Sequence, residues 1–285
     1  MLDVDAPFAS TLQRARGAAS AAFLGTGGSG GRARLSGLAQ AGSARAFVPR
    51  SHGDRPEVVF LNTSGGLTGG DRLRFGLDLG PGAAVVGATQ TAERAYASAG
   101  GRARMEVTLT LGPGAALDWL PQETILFQGS ALARRTRVSM EGDAALVLAE
   151  MVVLGRAAMG ETLARVHLRD RREVLRDGRA CVIDALHLDD GALDGGQAGR
   201  HPALWNGARA AASLVLVAPG AEDATPAVRA ALAGVPQGVE AAASGWDGRC
   251  LVRMLAPDAL PLKRAVAAAL AVMRGGRALP RVWQI

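Results

Sequence analysis

Arg72–Leu79 reads RLRFGLDL and runs into Gly80-Pro81-Gly82-Ala83-Ala84; at an offset of 32 residues Met105–Leu111 reads MEVTLTL and runs into Gly112-Pro113-Gly114-Ala115-Ala116. In both copies the apolar residues occupy every second position: Leu73, Phe75, Leu77 and Leu79, then Met105, Val107, Leu109 and Leu111. A period of two places one face of a strand against a core and the other towards water. Proline second and glycine third in the shared Gly-Pro-Gly-Ala unit suit a type II turn, whose third residue needs a positive φ. A weaker third copy, Met140–Leu146 (MEGDAAL), aligns on its Ala-Ala pair a further 29 residues on. Units of strand, tight turn and strand that cannot each close a core must stack, so the sequence predicts a mainly β fold with a stacked, β-helical arrangement of many strands.

Strand signals continue outward from the repeat. Ala144–Leu154 (AALVLAEMVVL) is nearly all apolar, as in a strand buried on both faces, and Asp177-Gly178 and Asp247-Gly248 each mark a hairpin. Two helices are expected: Thr225–Ala233, with Thr225 as N-cap and Pro226 at the first helical position, and Asp258–Arg274, capped by its acid and stopped by Gly275-Gly276. The closing residues Arg281–Ile285 (RVWQI) alternate as a docked edge strand would. Gly25–Gly31 and Asp189–Gly199 read as exposed loops.

Composition narrows the function. The 285 residues carry a net charge of +6, yet 31 of the 32 basic residues are arginine, scattered singly and without interleaved aromatics, which argues against a nucleic-acid partner. Cys181 and Cys250 stand in no ligand spacing, and His52, His167, His187 and His201 are far apart, so neither a structural metal site nor a disulfide framework is expected. The run Arg14–Gly25 is too polar for a signal peptide, and no apolar stretch is long enough for a membrane span, so a cytoplasmic chain is expected. Gly25–Gly30 matches GxGxxG, but no long amphipathic helix follows and no acid lies about 20 residues on; Gly27–Gly31 matches GxSxG, but a nucleophile elbow needs a strand before it and a helix after it; no Gly-Lys-Ser/Thr phosphate loop exists.

What remains is a set of acids in apolar or glycine-rich surroundings: Asp71, Glu93, Glu123, Glu150 and Glu161. An acid inside an apolar strand is paired, neutral, or turned towards water or a cation. Pairing with arginine, for instance Arg94 or Arg156, is the reading the residues alone favour.

Taken together, LNTSGGLTGGD (Leu61–Asp71), TQTAERAY (Thr89–Tyr96), LDWLPQETILFQGS (Leu117–Ser130), GRAAMGE (Gly155–Glu161) and the closing LPRVWQI resemble the urease accessory protein family UreD, also called UreH. The resemblance covers nearly the whole chain and implies one UreD-like domain over residues 1–285, with a β-helical stack and two helices. It implies no enzyme but a chaperone in a protein complex that binds urease apoprotein and UreF, which recruits the GTPase UreG, and helps to insert nickel into urease. No tightly bound cofactor is implied, only transient Ni(II) passing an internal tunnel lined by acids. Carried over position by position, Asp71, Glu123 and Glu161 are the foremost candidates for that path, with Glu93 and Glu150 behind them. Oxygen ligands suit transit of a borderline ion better than chelation by His or Cys, which would trap it. Two other readings stay open: a passive scaffold that passes no metal, and a hydrolase using Glu123 and Glu161 as a carboxylate pair.

Overall fold

The computed structural model describes residues 14–27, 33–50, 53–191 and 205–284. The strands in chain order are β1 (Arg16–Gly25), β2 (Ala33–Gly42), β3 (Ala44–Phe47), β4 (Glu57–Asn62), β5 (Arg72–Leu79), β6 (Ala84–Thr89), β7 (Glu93–Ala95), β8 (Ala103–Leu111) and β9 (Ala116–Leu120). There follow β10 (Thr124–Leu126), β11 (Ser130–Met140), β12 (Ala145–Leu154), β13 (Val166–Arg176), β14 (Arg179–Leu188), β15 (Ala210–Val217), β16 (Glu240–Trp246) and β17 (Arg249–Ala256). Helix α1 spans Thr225–Leu232 and α2 spans Ala259–Met273.

The repeat is a solenoid. One sheet has the order β14-β13-β11-β8-β5-β1-β2, and the facing sheet runs β16-β17-β15-β12-β9-β6-β4-β3. Within them β1, β5, β8, β11 and β13 are parallel neighbours, as are β4, β6, β9 and β12. Each coil crosses from the first sheet to the second at a repeat turn. Gly82 and Gly114 take φ +67° and +68°, as a type II turn demands, and Ala83 and Ala115 close the turns by donating to Gly80 and Gly112. The third turn puts its positive φ at Gly142 (+53°), the second position, so the weaker copy keeps the length but changes the turn. The turns also bond to one another. Gly82 N donates to Pro113 O at 2.9 Å, Gly114 N to Asp143 Oδ1 at 2.7 Å, and Gly142 N to Asp177 Oδ1 at 2.9 Å.

Alternation determines what fills the coil. Leu73, Phe75, Leu77, Val107, Leu109 and Leu111 point inward and meet Phe60, Leu117 and Trp119 of the second sheet. That sheet is buried on its back too, which explains the continuous apolar β12: Leu146 and Leu148 face the coil, and Val147 and Met151 face a second core under α1 and α2. The signal-like Arg14–Gly25 is explained the same way, as β1 with Ala19, Ala21 and Phe23 buried. Both hairpins form, with Asp177 and Gly178 at φ +50° and +76° and Asp247 and Gly248 at +44° and +74°.

Two local expectations are corrected. Thr225 is not an N-cap: a 3-10 turn over Ala221–Ala224 leads directly into α1, so Ala224 holds the cap position and the Thr225 hydroxyl contacts Cys250 Sγ at 3.6 Å. Asp258 does cap α2, accepting from Ala259 N at 2.6 Å. The tail docks, but as a 3-10 turn over Arg281–Trp283 rather than a strand, because Trp283 is buried with Nε1 donating to Leu120 O at 2.9 Å. Ile285, His52, His201 and most of the loops Gly25–Gly31 and Asp189–Gly199, with most of the two glycine motifs, lie outside the described residues, while Gly25, expected in a loop, is the last residue of β1. Among the described residues no helix is long and apolar enough to cross a membrane.

Candidate functional site

A line of charge crosses the apolar interior where the coils end. On β11 the inward positions run Leu132, Arg134, Thr136, Val138, and on β13 they run Leu168, Asp170, Arg172, Val174, all buried. Strand register sets Arg134 opposite Asp170 and Arg172 opposite Asp184 of β14. Arg134 holds Asp170 with two parallel bonds, Nε to Oδ1 at 3.0 Å and a terminal nitrogen to Oδ2 at 2.7 Å. Its other terminal nitrogen reaches Thr124 Oγ1 at 2.9 Å and Glu150 Oε2 at 2.7 Å. Arg172 lies 3.6 Å from Asp170 and 3.1 Å from Asp184, and Asp184 meets Arg253 at 2.6 Å and the Ser213 hydroxyl at 2.8 Å. From Glu150 to Arg253 the signs alternate through six side chains, ending at a guanidinium about half exposed.

Pairing is what lets these charges stay inside. The six are not equivalent. Burial opposes ionisation of Asp170, but the paired Arg134 and then Arg172 outweigh it and hold its carboxyl below the usual range. Glu150 has a single close contact with Arg134, so burial prevails and its carboxyl is pushed up. Glu150 is therefore the acid of the line that takes up a proton most readily.

Glu150 also lines two cavities. A narrow one of about 40 Å³ is lined by Phe60, Asn62, Thr89, Glu93, Trp119, Gln122, Thr124, Arg134 and Glu150. A wider one of about 590 Å³ is lined by Glu150, Arg172, Asp184, Trp205, Ser213, Glu240 and Arg253. Glu93 lines the narrow cavity and, among the described residues, has no guanidinium within salt-bridge distance; Asn62 Nδ2 donates to its two oxygens at 3.2 and 3.3 Å. Burial raises its carboxyl to about 7, against the bonds from Asn62 and the Arg94 amide.

Of the five acids expected from sequence, Glu93 and Glu150 thus share one cavity and the other three stand elsewhere. Asp71 is buried with Oδ1 accepting from Ala15 N at 2.7 Å and Oδ2 from Thr68 N at 2.8 Å. The glycines before it serve close approach: a Cβ on Gly66 would sit 2.7 Å from Arg94 O and collide with the Tyr96 ring. Glu161 accepts from Gln128 N, Arg156 N and Arg156 Nε at 2.9–3.0 Å. Partial burial raises its carboxyl, but these bonds, Arg156's foremost, bring it below the usual range. Glu123 lies 3.8 Å from Lys263, beside the Gln122 that bonds the tail at Val282 O. Glu123 and Glu161 thus have separate cations and no bond between them. Of the two arginines offered as example partners, Arg156 pairs with Glu161 at the surface and Arg94 forms no ion pair among the described residues, whereas the partner of the buried Glu150 is Arg134. Arg134, Asp170, Arg172 and Asp184 were missed. The available signal was phase: each is a charged residue at an inward position of an alternating strand. Among the described residues no group of three His, Cys, Asp or Glu side chains could hold a metal ion.

Comparison with known proteins gives a consistent match. The family model described as UreD urease accessory protein matches residues 17–284. A protein of Cereibacter sphaeroides named Urease accessory protein UreD is 57% identical over 254 residues, covering 89% of this chain and 90% of the relative. Relatives of the same name from Jannaschia sp. and Paracoccus denitrificans are 53% and 47% identical, each over the whole of this chain and 100% and 97% of their own.

Proposed function

The chain belongs to the UreD urease accessory protein family, and from that premise we propose that it is a scaffold and metallochaperone in urease maturation. It binds urease apoprotein and UreF, which recruits UreG, and helps to deliver nickel to urease through its own interior. It acts in the cytoplasm and catalyses no reaction itself, in keeping with an accessory role. The observation that carries the reading is Glu150, an acid deep in an apolar coil that lines both the narrow and the wide cavity.

Nickel is cargo here, so weak carboxylate ligation suits it. Burial holds Glu93 and Glu150 towards their neutral forms. An arriving divalent ion supplies the countercharge that burial withholds, and so favours the ionised form of each carboxyl for as long as it is bound. Asn62 orients the Glu93 oxygens, and Arg134 holds Glu150 where it lines both cavities.

A second reading, the passive scaffold, is favoured by the complete pairing of Asp170 and Asp184 with arginines. Glu93→Gln and Glu150→Gln separate the two. Both variants keep the shape and one accepting oxygen while removing the ionisable group. The conduit requires normal co-purification with UreF and urease apoprotein and a fall in the nickel content of urease activated with UreG, GTP and bicarbonate. Normal assembly with fully nickel-loaded urease leaves the scaffold reading alone.

A further inference from the structure

The arginines that look scattered in sequence are aligned by the solenoid. On the outer face of the first sheet, the register across β1, β5, β8, β11, β13 and β14 sets Arg16, Arg72, Arg104, Ala133, Arg169 and His187 side by side. Parallel strands lie about 4.8 Å apart, so Arg16, Arg72 and Arg104 form an unbroken row of like charges. Such a row is unfavourable on its own. All three side chains are exposed, and among the described residues none of them, nor Arg169, has a carboxylate within salt-bridge distance.

The neighbouring rows show how this face receives an acid. One row over, Arg74 of β5 bonds Glu106 of β8 at 2.9 Å. Glu173 of β13 takes Arg135 of β11 on one oxygen and Arg171 on the other, each at 2.7 Å, and these two bonds hold its carboxyl down at about 2. A carboxylate seated between guanidiniums of the sheet is thus a geometry this surface already makes, and the row of Arg16, Arg72 and Arg104 lacks the acid. Ala18, Gly76 and Thr108 also lie on this face, and no Phe, Tyr or Trp points outward from β1, β5, β8, β11 or β13. Without aromatic platforms a nucleic acid has nothing on which to stack its bases. A bidentate fork matches a carboxylate.

We propose that the outer face of the seven-stranded sheet docks a protein partner that presents a row of carboxylates, which complete the row of Arg16, Arg72 and Arg104. The surface is separate from the buried acids, and its role holds whether or not metal passes the interior.

Anisotropy of fluorescein-labelled poly-L-glutamate, titrated with the whole protein at low salt, tests the face. Arg72→Gln/Arg104→Gln is compared with Arg264→Gln/Arg281→Gln, which removes the same charge from exposed positions elsewhere. The face variant should lose about tenfold in affinity and melt no lower than wild type, since a repulsion is relieved; the other double variant should stay within about twofold. Equal losses in the two variants would reduce the effect to net charge and overturn the proposal. So would absence of polyglutamate binding by wild type, or tighter binding of duplex DNA than of polyglutamate through the same two arginines.

Discussion

Asp71 and Glu93 show how little the residue type alone decides. Asp71 sits at the end of a glycine-rich loop with both oxygens on backbone amides, so Asp71→Ala leaves the amides of Ala15 and Thr68 without partners at about 1–3 kcal/mol each. Urea denaturation should register that loss, with Asp71→Asn losing less because its remaining oxygen still accepts. Glu93 behaves oppositely, since its environment disfavours the charged form. Its folded value of about 7 lies above the ordinary 4.5, so its favourable contribution is complete below about 4.5 and disappears as pH rises through 7. Glu93→Gln should therefore match wild type in melting temperature near pH 4 and exceed it near pH 8; a constant difference across that range would sink the assignment. Both acids were named from sequence as the same kind of candidate. What separates them is the third dimension, Ala15 against Asp71 and the apolar ring of Phe60 and Trp119 near Glu93, contacts that join residues far apart in the chain.

At the scale of elements, the solenoid was legible because its code is local. Period-two alternation and Gly-Pro-Gly turns are written within a few residues, and the parallel register follows from equal spacing. The bonds between turns were less visible, since Asp143 and Asp177 serve as acceptors for glycines a full coil away. Asp143→Ala should cost about 1 kcal/mol by leaving Gly114 N unpaired, with Asp143→Asn close to neutral; urea midpoints of the two distinguish an acceptor from a merely polar turn residue. The helix ends were legible where a side chain caps them, as at Asp258, and not where a 3-10 turn replaces the cap, as before Thr225. The tail was read as docked from its apolar residues, but its shape is set by one long-range bond, Trp283 to Leu120. Trp283→Ala should cost about 3–5 kcal/mol, a value accessible to the same denaturation series.

Over the whole molecule the question is whether the helical layer and the coil unfold as one. The second sheet belongs to both cores: Val85 and Leu117 face the coil interior, whereas Val86 and Leu120 face the layer of α1 and α2. Neither layer can leave without exposing one apolar face of the same strands. Charge reinforces the join. Asp118, on the back of β9, is buried against Arg274 Nε at 2.9 Å, with Arg277 and Arg55 beyond it at 3.4 and 3.5 Å, so the end of α2 is bolted to the repeat. Arg274 also donates to the carbonyls of Arg277 and Ala278, which turns the chain towards the docked Trp283. Separating α2 would strand Asp118, several carbonyls and an apolar sheet at once, a larger loss than a solenoid with independent repeats would suffer. Native-state hydrogen exchange should accordingly give the amides of α2 the same opening free energy as those of β9 and β12, converging at low denaturant. Exchange of α2 well below the strands would instead reveal two separable units, and the single domain expected over residues 1–285 would have to be divided there.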